Sequence, residues 1–344
     1  MVRSNEIDFV LPWVDGNDPD WRARKRTITG AATTDDREER YRDLGILRYW
    51  FRGVERFAPW VRKIWFICDQ EAPAWLKRDH PKLTIVRHED YLPEAYRPTF
   101  SSHPIELNLH RIEGLSEQFV YFNDDMFLLS PAKEEAFFKY GLPRDTALMS
   151  PLPTTDLKQK EKKPIIFTIP LNNLSYLNRD YDFRSCVKKH PLKWINAKYG
   201  AWMFTNLMLM AWPRFVGFKE THIPHAYLKT SFKEAWAQDG DILDATSRHH
   251  IRDDRDVNQW LIRYRQMAEG KFMPIRPQGS VCDLAPNPEK AAEVIRKQAM
   301  PMVCLNDAGL ERDAFTDAKR QIREAFHSIL PEASSFETDG GADR

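Results

Sequence analysis

The sequence TFSSHPIELNLHRIEGLSEQFVYFNDDMFLLS, residues 99–130, decides how the rest of the chain is interpreted. Residues 118–122 are aromatic, β-branched or polar, with no glycine or proline, which predicts a buried β-strand. Asn123, Asp124 and Asp125 follow directly, before an apolar run. Open α/β sheets bind ligands at the carboxyl ends of their strands, and oxygen-rich groups there suit Mg²⁺ or Mn²⁺. Asx pairs also form ordinary turns, so this triplet alone leaves both interpretations open.

The composition predicts a folded protein, and its net charge is too small to attract nucleic acid. The chain has 344 residues and is 42% hydrophobic, enough for a large core. Its 51 Lys and Arg residues nearly balance its 50 Asp and Glu residues, so the net charge is +1. Any anion that the protein binds must therefore be held by a local cluster of cations.

Cysteine spacing and hydropathy predict a cytoplasmic protein. The four cysteines lie far apart without a CxxC pair, which argues against a zinc knuckle and a disulfide framework. The sequence shows no signal peptide and no apolar stretch of about 20 residues. We expect no transmembrane segment, although the protein could lie against the inner membrane.

Alternating strand and helix patterns predict an α/β fold with a mostly parallel sheet flanked by helices. Strands are expected at residues 7–13, 62–68, 82–87 and 118–122, each ending in polar residues. Amphipathic helices are expected at 43–57 and 104–114. Arg48 and Arg52 lie on the flank of the first helix, where either could simply face solvent. Arg111, on the second helix, could bind a phosphate or pair with Glu106 or Glu113.

The pattern changes after residue 150. Residues 151–175 mix proline with lysine and predict a boundary or an inserted loop. The apolar spacing of residues 183–212 is helical, and the aromatic residues there are expected in the core: Trp194, Trp202, Phe204 and Trp212. We therefore divide the chain into an α/β core (1–150), a mainly helical insertion (151–215), a C-terminal part that completes the predicted ligand site (216–335) and a polar tail (336–344).

Two later segments carry further candidate functional groups. His222 and His225 flank Pro224, which predicts a loop that exposes both rings. The run RHHIRDDRD at 248–256 could contain metal ligands, an acid–base group with a phosphate clamp, or surface ion pairs. A zinc site is disfavoured because no cysteine is nearby, so a base with a phosphate clamp fits better. A last strand at 301–305 ends in Asn306 and Asp307, a second Asn-Asp pair after an apolar strand.

Four blocks in this order resemble the Stealth family of sugar-phosphate transferases. They are IDFVLPWVDGNDPDW at 7–21, the region 42–127 from RDLGILRYWFR to FNDDMF, the region 222–272 from HIPHAYLKTSF to AEGKF, and VCLNDA with ILPEASSFE within 303–337. The resemblance implies a core like that of glycosyltransferase-A enzymes. It also implies transfer of a sugar-1-phosphate from a nucleotide sugar, expected to be a UDP-sugar, to a hydroxyl of a polysaccharide or oligosaccharide. A nucleoside monophosphate would leave, with Mg²⁺ or Mn²⁺ assisting.

The resemblance also implies roles for individual residues. The positions that match catalytic ones are Asp8, Asp125, His222 and Arg252. We expect His222 to be the general base and Arg252 to face the phosphoryl charge, while Asp8 positions the acceptor or the base. The expected metal ligands are Asp124, Asp125, Asn306 and Asp307, with Asp124 also a candidate for orienting the ion from further out. The expected donor-binding residues are Arg48, Arg111 and Asn123.

The chain departs from the family pattern in its first block, where LPWVDG replaces the usual tyrosine and threonine before the tryptophan. The Stealth family also includes an animal enzyme, the lysosomal-enzyme N-acetylglucosamine-1-phosphotransferase. This sequence lacks the large inserted modules of that enzyme, so a bacterial polysaccharide is the better expected acceptor. Two other functions remain open at this point: a metal-dependent glycosyltransferase that releases a nucleoside diphosphate, and a non-catalytic glycan-binding subunit of a capsule-assembly complex.

Overall fold

A computed structural model describes residues 6–30, 42–152, 164–285, 287–307 and 309–338. The described strands are β1 (Ile7–Pro12), β2 (Ile64–Ile67), β3 (Leu83–Val86), β4 (Gln118–Tyr121), β5 (Met126–Leu128), β6 (Phe138–Lys139), β7 (Leu142–Asp145), β8 (His225–Leu228), β9 (Met273–Pro274), β10 (Gly279–Asp283) and β11 (Met302–Asn306).

The described α-helices are α1 (Pro19–Thr29), α2 (Leu47–Phe57), α3 (Ser102–Leu107), α4 (Pro164–Asp180), α5 (Phe183–Lys189), α6 (Pro191–Trp194), α7 (Met203–Leu209), α8 (Lys229–Ser247), α9 (Gln259–Ala268), α10 (Pro288–Arg296) and α11 (Arg312–Ile329). Short 3₁₀ helices lie between several of these elements, including Ala197–Trp202 directly before α7. None of the described helices is long and apolar enough to span a bilayer.

The central sheet has the strand order β3-β2-β1-β4-β8. The first four strands are parallel, and β8 runs antiparallel to β4 at the edge. A second sheet has the order β10-β11-β5, with β11 antiparallel to β5. A third, small sheet joins β6, β7 and β9. The carboxyl end of β4 therefore lies where the first two sheets meet.

Both faces of the central sheet are covered, which explains why its strands are apolar at successive positions. Phe9 of β1 packs into the core on one face, together with side chains of α2, α10 and α11. Val10, the next residue, packs into the core on the other face, together with side chains of α3, α8 and α9. The predicted α/β fold with a mostly parallel sheet is confirmed.

Two predictions for the region after residue 150 are wrong. Residues 164–175, expected in a loop, belong to the helix α4, which accommodates Pro170. Trp194 is buried as expected, but Trp202, Phe204 and Trp212 are each more than half exposed. Residues 153–163, including most of the lysine-rich patch, lie outside the described residues, as does most of the charged segment 33–42 and of the tail 336–344. The predicted domain boundaries stay a prediction.

Candidate active site

The turn after β4 and the loop before β8 bring Asp125 and His222 together. The carbonyl of Asn123 accepts a hydrogen bond from the backbone N–H of Met126 at 3.1 Å, which reverses the chain into β5. His225 pairs with Tyr121 across β4 and β8, so the residues just before β8 lie beside this turn. His222 Nε2 lies 3.9 Å from Asp125 Oδ2 and 3.4 Å from Asn123 Nδ2.

The backbone and the second sheet fix both partners of this pair. His222 has a φ of 43°, a left-handed conformation that costs free energy for a residue with a side chain. The Asp125 carbonyl accepts a hydrogen bond from the N–H of Leu305 at 2.9 Å, beside the β5–β11 pairing. About one third of each side chain stays exposed, 37% for His222 and 33% for Asp125. The pair is thus held in place and still open to a substrate.

Burial and neighbouring charges shift the pKa values of the two carboxyl groups in the turn after β4, residues 123–125, which we call the acidic turn. Desolvation raises the pKa of Asp125, and the nearby charge of His222 acts in the opposite direction. Desolvation by the surrounding protein atoms raises the pKa of Asp124 as well, and the negative charges of Asp125 and Asp43 add to this effect. Oδ1 of Asp125 is buried and has no hydrogen-bond partner within the described part of the chain. A proton or a cation at this oxygen would relieve the cost of burying it.

His225 differs from His222, contrary to the expectation that both rings are exposed on a loop. His225 is the first residue of β8 and is buried. Desolvation, with the charges of Arg263 and His222, lowers its pKa well below the usual value. His225 is therefore a neutral part of the protein interior, and only His222 of this pair faces the candidate site.

Asn306 and Asp307, the predicted metal ligands at the end of β11, are bound to other side chains and to the backbone. Asn306 Nδ2 donates to Asp283 Oδ1 at 2.6 Å. Asp307 Oδ1 accepts from the Leu310 N–H at 3.2 Å, and its other carboxylate oxygen lies 3.2 Å from Nε of Arg42. The two strand ends are neighbours, as predicted, but these two side chains are already engaged by protein groups.

Cys304 lies where sequence reasoning placed no ligand. Its sulfur and side-chain atoms of Asp125 and His222 all lie within 4.8 Å of one another. Burial first, and then Asp125, raise the pKa of the Cys304 thiol, which keeps it protonated and a poor metal ligand. The only sequence signal was its position two residues before Asn306, which puts both side chains on one face of β11.

Arg252 connects to the same region through a buried polar network. Its Nη2 donates to Ser102 Oγ at 2.9 Å, at the start of α3. Glu106 of α3 accepts from the Tyr121 hydroxyl at 3.2 Å, and the charge of Arg252 acts on Glu106. Burial raises the pKa of Glu106 to about 8. Sequence reasoning placed Glu106 on a helix surface, so this buried carboxyl was missed.

Trp260 links this network to the histidine. It is the second residue of α9, and its ring lies edge-on to His222 with the centroids 6.2 Å apart. Gln259, beside it, contributes hydrogen bonds that lower the pKa of Glu106 against the effect of burial. Arg252 and His222 therefore flank one region formed by α3, the end of β4 and the start of α9.

The structure does not place Asp8 in the candidate site. Asp8 pairs with Phe119 at the start of β4, whereas Asp125 follows the end of that strand. Its side chain is fully buried and accepts hydrogen bonds from Arg62 at 2.7 and 2.5 Å, from Trp65 Nε1 at 2.8 Å and from the Ser116 N–H at 2.8 Å. The Asp8 carboxylate is therefore enclosed at the opposite end of the strands from Asp125, and its predicted catalytic role stays a prediction.

Arg48 and Arg111 are likewise engaged away from the acidic turn. The guanidinium of Arg48 lies 3.7 Å from Glu337 and over the ring of Trp75. Arg111 donates to Asn108 Oδ1 at 2.8 Å and lies over the ring of Trp236, which replaces the expected pairing with Glu106 or Glu113. The structure therefore gives both guanidinium groups other partners, and their assignment as donor-binding residues stays a prediction.

Comparison with known proteins identifies the family of this chain. Residues 5–31 match the model of Stealth protein conserved region 1, and residues 40–144 match that of Stealth protein conserved region 2. The capsular polysaccharide phosphotransferase WcwK of Streptococcus pneumoniae is 40% identical over 97% of this chain and 99% of its own. The chain belongs to the Stealth family. The exopolysaccharide phosphotransferase cps2G of Lactiplantibacillus plantarum is 35% identical over 96% of both chains.

Membership of the Stealth family confirms the resemblance seen in the sequence and makes this chain a phosphotransferase. Conserved region 1 contains β1 and α1, and conserved region 2 contains the turn with Asp125. His222 and Arg252 lie outside both regions but inside the span shared with the full-length Stealth relatives.

Solved structures provide only a distant likeness to this Stealth chain. A structure of the galactosyltransferase LgtC covers 95% of the chain and 98% of its own, with a TM-score of 0.38 and 8% identity. Mouse xyloside xylosyltransferase 1 covers 89% and 99%, with a TM-score of 0.38 and 9% identity. Both are glycosyltransferases, and similarity this low assigns neither a fold nor a function to this chain.

Proposed function

We propose that this Stealth protein transfers a sugar-1-phosphate from a nucleotide sugar to a hydroxyl of a capsular or exopolysaccharide acceptor. The observation that carries the proposal is the pair of Asp125 and His222, which come from distant parts of the sequence and lie 3.9 Å apart in a partly open site. The names of the relatives supply the class of acceptor. A UDP-sugar is the donor we expect.

In this proposal His222 is the general base. Its Nε2 takes the proton of the acceptor hydroxyl while the oxygen forms a bond to the phosphorus attached to the donor sugar. The bond from that phosphorus to the nucleoside monophosphate breaks, and the monophosphate leaves with the electron pair. The product is a phosphodiester. Asp125, whose Oδ2 lies 3.9 Å from Nε2, stabilises the charged imidazolium by its negative charge, and a positioned base contributes about 10²–10⁴ in rate.

Arg252 has the role of a fixed positive charge near the transferred phosphoryl group. Its hydrogen bond to Ser102 and its proximity to buried Glu106 hold the guanidinium beside the end of β4. A guanidinium binds phosphate oxygens in a defined geometry and keeps its charge at any physiological pH. Loss of Arg252 should therefore lower the rate more than the affinity for the acceptor.

The residues of the acidic turn fit a hard divalent ion. The buried, unpartnered Oδ1 of Asp125 and the adjacent oxygens of Asp124 and Asn123 are the kind of ligands that Mg²⁺ or Mn²⁺ prefers. When bound, such an ion neutralises charge on the donor diphosphate. Treatment with EDTA should abolish transfer, and Mg²⁺ or Mn²⁺ should restore it. Full activity in EDTA would exclude this part of the proposal.

Phosphorus NMR of a reaction with a nucleotide sugar, acceptor oligosaccharide and Mg²⁺ tests the proposed transfer. We expect a phosphodiester in the product and release of a nucleoside monophosphate. Release of a nucleoside diphosphate with no phosphorus in the product would indicate a glycosyltransferase instead. If a screen of nucleotide sugars yields no turnover but the chain binds glycan, the result would favour a non-catalytic glycan-binding subunit of a capsule-assembly complex. A cytoplasmic location is part of the proposal and can be tested by cell fractionation.

A further inference from the structure

The short helix α7 has its polar and apolar faces reversed relative to the usual surface helix. Asn206 points inward and is fully buried. It accepts from the Met149 N–H at 2.7 Å and donates to the carbonyls of Ala147 at 2.7 Å and Trp194 at 2.6 Å. Because this polar residue faces the interior, the rotation of the helix is fixed and its apolar side is directed to solvent.

The outward side of α7 and the residues around it form what we call the outer stripe. Its members are apolar, and each is half or more exposed: Trp202, Phe204, Leu207, Met208 and Trp212. Phe204, Leu207 and Met208 have the spacing of one face of α7, whereas Trp202 precedes the helix and Trp212 follows it. Together these side chains expose on the order of 600 Å² of surface, the upper end of the range for the largest apolar patch on a typical monomer, and such patches are often functional. Trp and Phe on such a face are typical of interfacial helices.

The sequence run that carries the outer stripe is rich in basic residues, with Asp182 and Glu220 at its two ends. Residues 183–219 contain several Lys and Arg residues and no Asp or Glu, although the whole chain is almost neutral. Lys188 and Lys189 are exposed near the end of α5. The ammonium of Lys219 lies 3.3 Å from the centroid of the Trp202 ring. Exposed aromatic residues flanked by cations match a surface that is apolar inside and negatively charged outside.

The protein holds the outer stripe in place by direct contacts. Arg184 donates from Nε to the carbonyl of Met210 at 3.0 Å and from Nη2 to that of Ala211 at 2.9 Å, which satisfies carbonyls after the end of α7. The exposed arrangement is therefore supported from within by Asn206 and from the side by Arg184. It is not the result of a helix that has lost its contacts.

The outer stripe adjoins the candidate active site. The N–H of Lys219 donates to the carbonyl of Leu148 at 2.9 Å, which ties the segment leading to His222 to the same region that anchors Asn206. Only two residues separate Lys219 from His222 in the sequence. Whatever the outer stripe contacts lies close to the opening through which an acceptor reaches His222.

We propose that the outer stripe, with the basic residues around it, docks this protein onto an anionic phospholipid membrane surface. The apolar side chains enter the interfacial layer and the lysines contact lipid phosphates. A membrane is favoured over a protein partner because the run 183–219 carries basic residues and no Asp or Glu, and because Phe204, Leu207 and Met208 form one narrow apolar face of α7. Docking in this orientation brings the active site next to the bilayer, which goes beyond the proposed transfer reaction.

Vesicle co-sedimentation of the full chain tests the docking. We expect binding to vesicles of phosphatidylcholine with 30% phosphatidylglycerol, weakening with salt, and little binding to phosphatidylcholine alone. The variants Lys188→Glu/Lys189→Glu and Phe204→Ser/Leu207→Ser/Met208→Ser should each weaken binding at least tenfold. The unfolding temperature should stay near that of the wild type, because the changed side chains are exposed.

Matched controls change exposed residues elsewhere on the protein. Tyr140→Ser removes an 80% exposed aromatic residue, and Lys77→Glu/Lys290→Glu reverses two exposed charges; all these variants should bind like the wild type. Equal binding by stripe and control variants would overturn the proposal, as would no binding to anionic vesicles. So would a wild-type dimer in light scattering that the triple serine variant dissociates, since a second copy would then cover the stripe.

The vesicle measurement does not depend on turnover, so its failure and that of the proposed reaction are distinguishable. With a water-soluble acceptor, the stripe variants should transfer at the wild-type rate, because none of their residues belongs to the catalytic group.

Discussion

Replacement of Asp8 by alanine distinguishes a structural carboxylate from a catalytic one. The structure encloses Asp8 completely and gives its two oxygens hydrogen bonds from Arg62, Trp65 and Ser116. Alanine would leave the indole N–H and the backbone N–H without their acceptor and would remove the ion pair. We expect loss of stability, with little direct effect on the chemical step.

The size of the effect follows from these contacts. Each buried donor left without a partner costs about 1–3 kcal/mol, and breaking a buried ion pair costs about 3–5 kcal/mol. Arg62 is one-third exposed and keeps Glu6 and the Gly114 carbonyl as partners, so most of the ion-pair cost is recovered and the two orphaned donors dominate the total. A total of about 3–5 kcal/mol is therefore reasonable. With an unfolding entropy of about 2.1 cal/mol/K per residue, 344 residues give a Tm lowered by about 4–7 °C.

Calorimetry or circular dichroism gives the Tm, and a transfer assay well below it gives kcat. We expect the lowered Tm with kcat within about threefold of the wild type. The isosteric variant Asp8→Asn keeps the shape of the side chain, so its Tm should lie between those of the wild type and Asp8→Ala. The control is Asp79→Asn, at an exposed turn, which should change neither the Tm nor kcat. A normal Tm with a hundredfold loss of kcat in Asp8→Asn would refute the structural role.

Three further predictions concern the site and its surroundings. His222→Gln should lower kcat by about 10²–10⁴ at normal Tm, since the ring is partly exposed, and an active variant would exclude it as the base. Glu106 holds a proton in the folded state up to about pH 8 that the unfolded chain releases above about pH 4.5. Stability therefore falls as pH rises between these values, and Glu106→Gln should flatten the Tm over this range; an unchanged slope would contradict the buried protonated carboxyl. Arg48→Met and Arg111→Met should leave KM for the donor within about twofold in steady-state assays, and a tenfold rise would return them to the donor site.

Controls for these variants use exposed residues of the same type. Glu89→Gln should leave the pH dependence of the Tm unchanged, and Arg312→Met should leave KM for the donor unchanged. His327→Gln, on α11, should leave kcat unchanged.

Most of the central sheet could be predicted from the sequence because its strands are short apolar runs that end in polar residues. The strand before Asn123 was expected at 118–122 and is found at Gln118–Tyr121. The helix α4 was not predicted because Pro170 and the adjacent lysine-rich segment argued for a loop. The exposed aromatic residues near α7 were misplaced because spacing predicts a helix but not which face is inward. That choice depends on the hydrogen bonds of Asn206, which involve residues distant in sequence.

The site was predicted in part. The approach of His222 to Asp125 agrees with the family resemblance and with the polar end of β4. The enclosure of Asp8 could not be predicted because a charged residue in a strand gives no indication of its partners, and Arg62 and Trp65 meet it only after β2 aligns with β1. Cys304 and Glu106 were missed because their proximity to the site depends on the packing of separate sheets and helices.

The ion pair of Arg52 and Glu337 has a consequence for the making of the protein. Two hydrogen bonds of 2.8 Å join residues separated by 285 positions, and the C-terminal segment they hold packs Phe336 against Phe51 of α2. A ribosome must synthesise the intervening chain before α2 acquires this cover. During that interval the apolar side of α2 can meet chaperones or other nascent chains. Premature stop codons anywhere in this span would yield polypeptides prone to aggregation and degradation.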